Sequence, residues 1–114
     1  MASARAMLER RRASRLWTRI PVQVFSSEAD GALLDDVAQA ISVSRCGVLL
    51  RTCCHPDIGS RITLHHPVSG QAREFRVIRV TGPGQDGRFE VGAEMLYPER
   101  DFWGLRFPGD REPA

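Results

Sequence analysis

The sequence contains no lysine; all sixteen of its basic side chains are arginine. Every cation is therefore a planar guanidinium able to grip a carboxylate, a phosphate or a base edge with a two-toothed fork. That bias alone does not argue for ligand binding. No apolar run approaches the roughly 20 residues of a membrane-spanning helix. No apolar stretch follows the charged N-terminus, as a secretory signal would require. A soluble, cytoplasmic protein with no membrane insertion is the expectation. Cysteine is scarce and odd in number: Cys46, Cys53 and Cys54. Adjacent cysteines such as the last two pair only under strain, so reduced thiols are expected. With His55, His65 and His66 they form no C-x-x-C or H-x-x-x-H spacing, so no metal is expected. His65 and His66 should straddle a sheet, one on each face. No Ser/His/Asp or Cys/His arrangement stands out, so neither enzymatic activity nor a cofactor is expected. There is no internal repeat. A chain of 114 residues with 42% apolar content suits one domain around one hydrophobic core.

What the chain has is charge, unevenly placed. Residues 1–19 carry six arginines against the single acid Glu9, whereas residues 20–114 carry ten arginines against thirteen acids. The modest net charge of +2 thus conceals a basic arm joined to a slightly acidic body. The densest part runs from Glu9 through Arg10, Arg11 and Arg12 to Arg15 and Arg19. Such an arm either meets phosphate or stays as a solvated terminus. Its first residues, 1–10, suit at most a frayed helical turn, too short to stand alone.

Beyond the arm the pattern turns to alternation. Ile20, Val22 and Val24 share one side, with Pro21 near the start of the strand. Residues 26–31 are rich in turn formers. Residues 33–41 fit a helical stripe of Leu33, Leu34, Val37 and Ile41, and only in part an alternating strand. Val48–Thr52 reads as a short buried strand entered through Gly47. Ile62 and Leu64 alternate inward within 61–65. Phe75, Val77 and, by the same alternation, Arg79 face one side of the next strand, with Ile78 and Val80 on the other. A strong turn at 82–87 precedes Phe89, Val91, Ala93 and Met95, which alternate with charged residues. Glu90 and Glu94 read as solubilising charges on the outside. The aromatic segment 101–107 should lie over an open end of the core, and the tail 108–114 should be disordered. Five short strands, or six if 34–42 is one, with tight turns between them argue for a small antiparallel barrel.

Two stretches carry the functional reading. Arg11-Arg12-Ala13-Ser14-Arg15 is an R-x-x-x-R spacing just ahead of the first strand. Arg15 to Arg19 repeats that spacing, but Arg19 abuts the strand, which favours Arg11 and Arg15. Ser42-Val43-Ser44-Arg45-Cys46-Gly47 stands just ahead of the Val48 strand. In this order, over residues 10–107, the pair resembles the PilZ domain family of receptors for the bacterial second messenger cyclic di-GMP. That family's pattern is R-x-x-x-R followed by D/N-x-S-x-x-G. Ile20–Val24, Ser44–Leu50, Phe89-Glu90-Val91-Gly92 and the C-terminal aromatic segment add to the resemblance. Ser42 departs from the aspartate or asparagine of the pattern and offers one hydroxyl where those offer a planar pair of polar atoms.

The resemblance implies a six-stranded antiparallel PilZ-like β-barrel with a flexible arginine-rich arm and a short C-terminal aromatic segment, and makes 34–42 a strand. Residues 1–9 would be flexible, 10–107 the domain and 108–114 a tail. It implies that Arg11 and Arg15 close over phosphates and guanine edges, while Ser42 and Ser44 meet a guanine on the barrel surface. Gly47 would allow close backbone approach or a conformation barred to other residues. Arg10, Arg12, Trp17, Arg19 and Arg45 are further candidate contacts. Trp17 either stacks on a base or anchors the arm to the barrel. Position 42 should be a solvent-facing strand end. With no output domain in the sequence, binding would be relayed to an effector protein. The alternative is a PilZ-like interaction module, in motility or pilus assembly, that binds no nucleotide. Single-stranded DNA or RNA is not expected as a partner, since such barrels need several exposed aromatics on one face.

Overall fold

The computed structural model describes residues 15–27, 31–97 and 102–105. Arg10, Arg11 and Arg12, the expected flexible segment 1–9 and the tail 108–114 lie outside the described residues. The described residues are all-β: β1 (Leu16–Ser26), β2 (Leu33–Val43), β3 (Gly47–Thr52), β4 (Arg61–His65), β5 (Ala72–Thr81) and β6 (Phe89–Met95). They close into one barrel in the order β1-β2-β3-β6-β5-β4, every neighbouring pair antiparallel. Closure through the β1–β4 pairing leaves no open edge to recruit another chain. No helix among the described residues is long and apolar enough to cross a membrane.

Most of the core follows from alternation. Val22 and Val24, Ile62 and Leu64, Phe75 and Val77, and Val91, Ala93 and Met95 are all buried. Most of these side chains are β-branched or aromatic, types that pack well on a pleated, half-buried surface. His65 and His66 do take opposite environments. His65 Nδ1 lies 2.9 Å from Gln23 Oε1, whereas His66 is buried against Phe102 and Trp103. The aromatic segment goes further than a surface cover. Phe102 and Trp103 are both buried, with ring centroids 4.8 Å apart, and both pack against Phe75.

Residues 33–43 form a strand, but not the one their apolar residues suggest. Leu33, Leu34 and Val37 are exposed, and Asp35, Ala38, Ala40 and Val43 are buried instead. Irregularities in the β1–β2 register, where Val22 pairs Ala38 but Val24 pairs Asp35 and Phe25 pairs Leu33, break the alternation. Asp35 is fixed at this irregularity by three donors. Its Oδ1 accepts from Val37 N at 2.9 Å, and its Oδ2 accepts from Thr52 Oγ1 at 2.7 Å and Cys53 N at 3.0 Å. Burial alone would raise this carboxyl's pKa, but the hydrogen bonds from Thr52, Cys53 and Val37 together outweigh it and hold the pKa below its ordinary value.

A second break occurs in β5. Val77 pairs Ala93, yet Arg79 pairs Gly92, so Ile78 is an extra residue. Strict alternation would have turned Arg79 inward with Phe75 and Val77. The bulge turns both Ile78 and Arg79 outward and lets Val80 pack on the core.

Candidate functional site

The start of β1 meets the second motif because β1 and β2 are antiparallel and in a particular register. Leu16 pairs Val43 and Trp17 pairs Ser42. The beginning of β1, with Arg15 one residue ahead, therefore lies beside the end of β2 and the turn into β3. The basic arm is shorter than its sequence suggests, because residues 16–19 already belong to β1. Arg15 and Arg19 are both exposed there, Arg19 on the strand itself.

Ser42 owes its orientation to a bulge. Ala40 pairs Leu50 and Ser42 pairs Leu49, which leaves Ile41 as the extra residue. Paired residues in an antiparallel ladder point to the same face. Ser42 thus shares the outer face with Trp17 and Leu49, while Val43 turns into the core beside Leu16 and Val48. Position 42 is nevertheless not solvent-facing, since Ser42 is only 2% exposed and lies in the floor between its larger neighbours. Trp17 beside it is 80% exposed. An indole so open gains little by burial, so an anchoring role for Trp17 is not what the barrel displays.

The turn from β2 to β3 is built by Ser44 and Gly47. Ser44 N donates to Gly47 O at 3.0 Å, and Gly47 N donates to Ser44 Oγ at 3.0 Å. Met95 N fastens the turn to β6 by donating to Cys46 O at 2.7 Å. A Cβ on Gly47 would lie 3.3 Å from both Ala93 O and Ser44 Oγ. Close approach, not a left-handed backbone, is thus the reason for glycine here. Ser44 is itself buried and has a structural duty, although its hydroxyl proton stays free to donate to another group. Arg45 is half-buried on the turn and Cys46 is exposed at its tip.

Two of the thiols, Cys53 and Cys54, are held toward the protonated form by their surroundings. Cys53 is pushed up by desolvation and then by its contact with the Asp35 carboxylate; Cys54 is pushed up by burial, partly offset by Thr52. No group of three or more metal-ligating side chains gathers among the described residues. An open cleft of about 400 Å³ lies at the opposite end of β3 and β6, lined by Arg51, Thr81, Gly82, Arg88 and Glu90 among others. Two of its charges are matched within it, since Arg51 Nη2 lies 3.5 Å from Glu90 Oε2.

Alternation across bulges is what sequence reasoning missed. Strict alternation groups Arg79 with Phe75 and Val77, although this guanidinium stands on the outer side of the barrel next to Gly92. The unbalanced run Phe75, Val77, Ile78, Val80, apolar on both faces, was the available signal.

No protein-family model matches the chain, and no curated protein matches it. Among solved structures it is similar to the Bacillus subtilis inhibitor of motility (MotI/DgrA), with a TM-score of 0.57 at 14% identity. The match covers 76% of this chain and 43% of that one. The two share a barrel fold, and this chain spans less than half the length of its neighbour.

Proposed function

We propose that this barrel is a PilZ-type receptor for cyclic di-GMP that relays the signal to an effector protein, acting as a binding module and not as an enzyme. The observation that carries the reading is the β1–β2 register, which sets Trp17 beside Ser42 and Arg15 at the Ser42–Gly47 turn, with Arg19 further along the same strand. Two phosphates and two guanines would find guanidinium forks, an exposed indole and small hydroxyls within one surface. That surface is the outside of a barrel, and small ligands need enclosure to bind well. The arm, with Arg11 among its arginines, would supply the second wall, so binding would change the surface seen by a partner. The likeness to the inhibitor of motility supports the barrel fold on which this reading rests. Calorimetric titration with cyclic di-GMP, with GTP as the control, tests the reading. The wild type should bind, and Arg15→Ala should lose about ten-fold or more in affinity, as expected when a charge-assisted contact is removed. A wild type that gives no heat at high micromolar ligand would end the receptor reading.

A second reading has its own observation. Leu33, Leu34 and Val37 are apolar and exposed on one strand. A patch of this kind suits an interaction module that needs no nucleotide. Loss of partner binding in Val37→Asp, with nucleotide making no difference, would favour it.

A further inference from the structure

The register that places Ser42 beside Leu49 continues across the barrel. Leu49 pairs Gly92 on β6, and Gly92 pairs Arg79 on β5. Neighbouring strands lie about 4.8 Å apart, so the floor from Ser42 to Gly92 spans roughly 10 Å. Gly92 has no side chain to stand on that floor, and Arg79 and Ile78 share the space, a Cβ there lying 3.7 Å from Ile78 Cγ1. A Cβ on Gly92 would lie 3.6 Å from Arg79 Cβ and 3.9 Å from Arg79 Nε. The Arg79 side chain thus folds back over β6 toward the candidate site. It is exposed, and no ion pair or hydrogen bond engages it among the described residues. Two bulges, one at Ile41 and one at Ile78, are what put Ser42 and Arg79 on this outer face. Bulges are over-represented where a side chain must be re-aimed at a site.

From this geometry, and resting on the receptor reading above, we infer that Arg79 is a specificity-determining contact to one guanine of the ligand. A cyclic dinucleotide carries its phosphates in the central ring and its bases at the two ends. A ligand seated over Ser42 and Leu49 presents phosphates to the middle of the floor and a base to its margin. Arg79 stands at that margin, across the floor from Trp17. The guanidinium fork matches the O6 and N7 acceptors of guanine and is repelled by the N6 amino donor of adenine.

Titration of the wild type, Arg79→Ala and Arg79→Lys with cyclic di-GMP and with cyclic di-AMP tests this, with thermal unfolding of each protein alongside. The wild type should prefer cyclic di-GMP. Arg79→Ala should weaken that ligand about ten-fold and leave cyclic di-AMP almost unchanged, at an unaltered unfolding temperature. Arg79→Lys keeps the stem and the charge but not the fork, and should lose the same preference; it serves as the test if the alanine variant is destabilised. Affinity for cyclic di-GMP within two-fold of wild type in both variants overturns the role of Arg79 and leaves the receptor reading intact. Equal weakening toward both nucleotides overturns the guanine contact in favour of a phosphate one. A wild type that binds neither overturns this inference together with the receptor reading.

Discussion

Asp35 is the residue whose place in this fold is least expected from its neighbours, sitting buried amid Leu33, Leu34 and Val37, which are not. Three hydrogen bonds hold its carboxylate and tie β2 to the end of β3. Asp35→Ala would leave the Thr52 hydroxyl and the Cys53 amide without an acceptor and should cost about 2–3 kcal/mol in urea unfolding at neutral pH. The pH dependence has a definite sign. The folded carboxyl titrates below its ordinary value of 3.8, so its stabilisation is complete above that value and disappears as pH falls through the lower, folded value. Wild-type stability should therefore drop as the pH is taken below about 4, and Asp35→Asn should flatten that part of the curve. A wild-type profile identical to that of the variant in this window would mean that the hydrogen bonds do not favour the ionised form.

At the scale of elements, the strands were readable and their faces only partly so. Clean period-two segments such as Ile62–Leu64 and Phe89–Met95 give the right side for each residue, because neither strand carries an inserted residue of its own. Where one residue is inserted, every later side chain changes face, and the insertion depends on a partner strand that the local sequence does not name. That is why alternation groups Arg79 with Phe75 and Val77, and why Leu33 and Val37 fit a helical stripe that the strand does not keep. The two motifs were legible as a pair, but the meeting of Trp17 with Ser42 needed the register. Sequence alone makes the C-terminal aromatic pair a cover, and its depth of burial comes from contacts with Phe75 and His66, far away in sequence. Phe102 is fully buried, so Phe102→Ala should cost about 3–5 kcal/mol, a loss seen as an earlier urea midpoint. A change under about 1 kcal/mol would show that the segment is a loose lid with no share in the core.

For the whole molecule, the uneven charge gives the last expectation. The arm concentrates six arginines in residues 1–19 against a body with more acids than arginines. The Ser42 floor belongs to the outer face of a closed barrel, whose described core is filled by its own side chains. A ligand on such a face gains little from enclosure, so guanidinium charge must supply much of the affinity. Contacts of that kind on an accessible surface are screened as the Debye length shrinks from about 10 Å at 0.1 M salt to about 3 Å at 1 M. Affinity for cyclic di-GMP should accordingly fall several-fold across that range, and the fall should be shallower in Arg15→Ala because one screened contact is already gone. Buried, hydroxyl-dominated recognition by Ser42 and Ser44 would behave differently, since desolvated hydrogen bonds respond weakly to bulk ions. Titrations at three salt concentrations, with wild type and variant side by side, separate the two. A salt-independent affinity would move the weight of recognition from the arginines to the floor of the barrel.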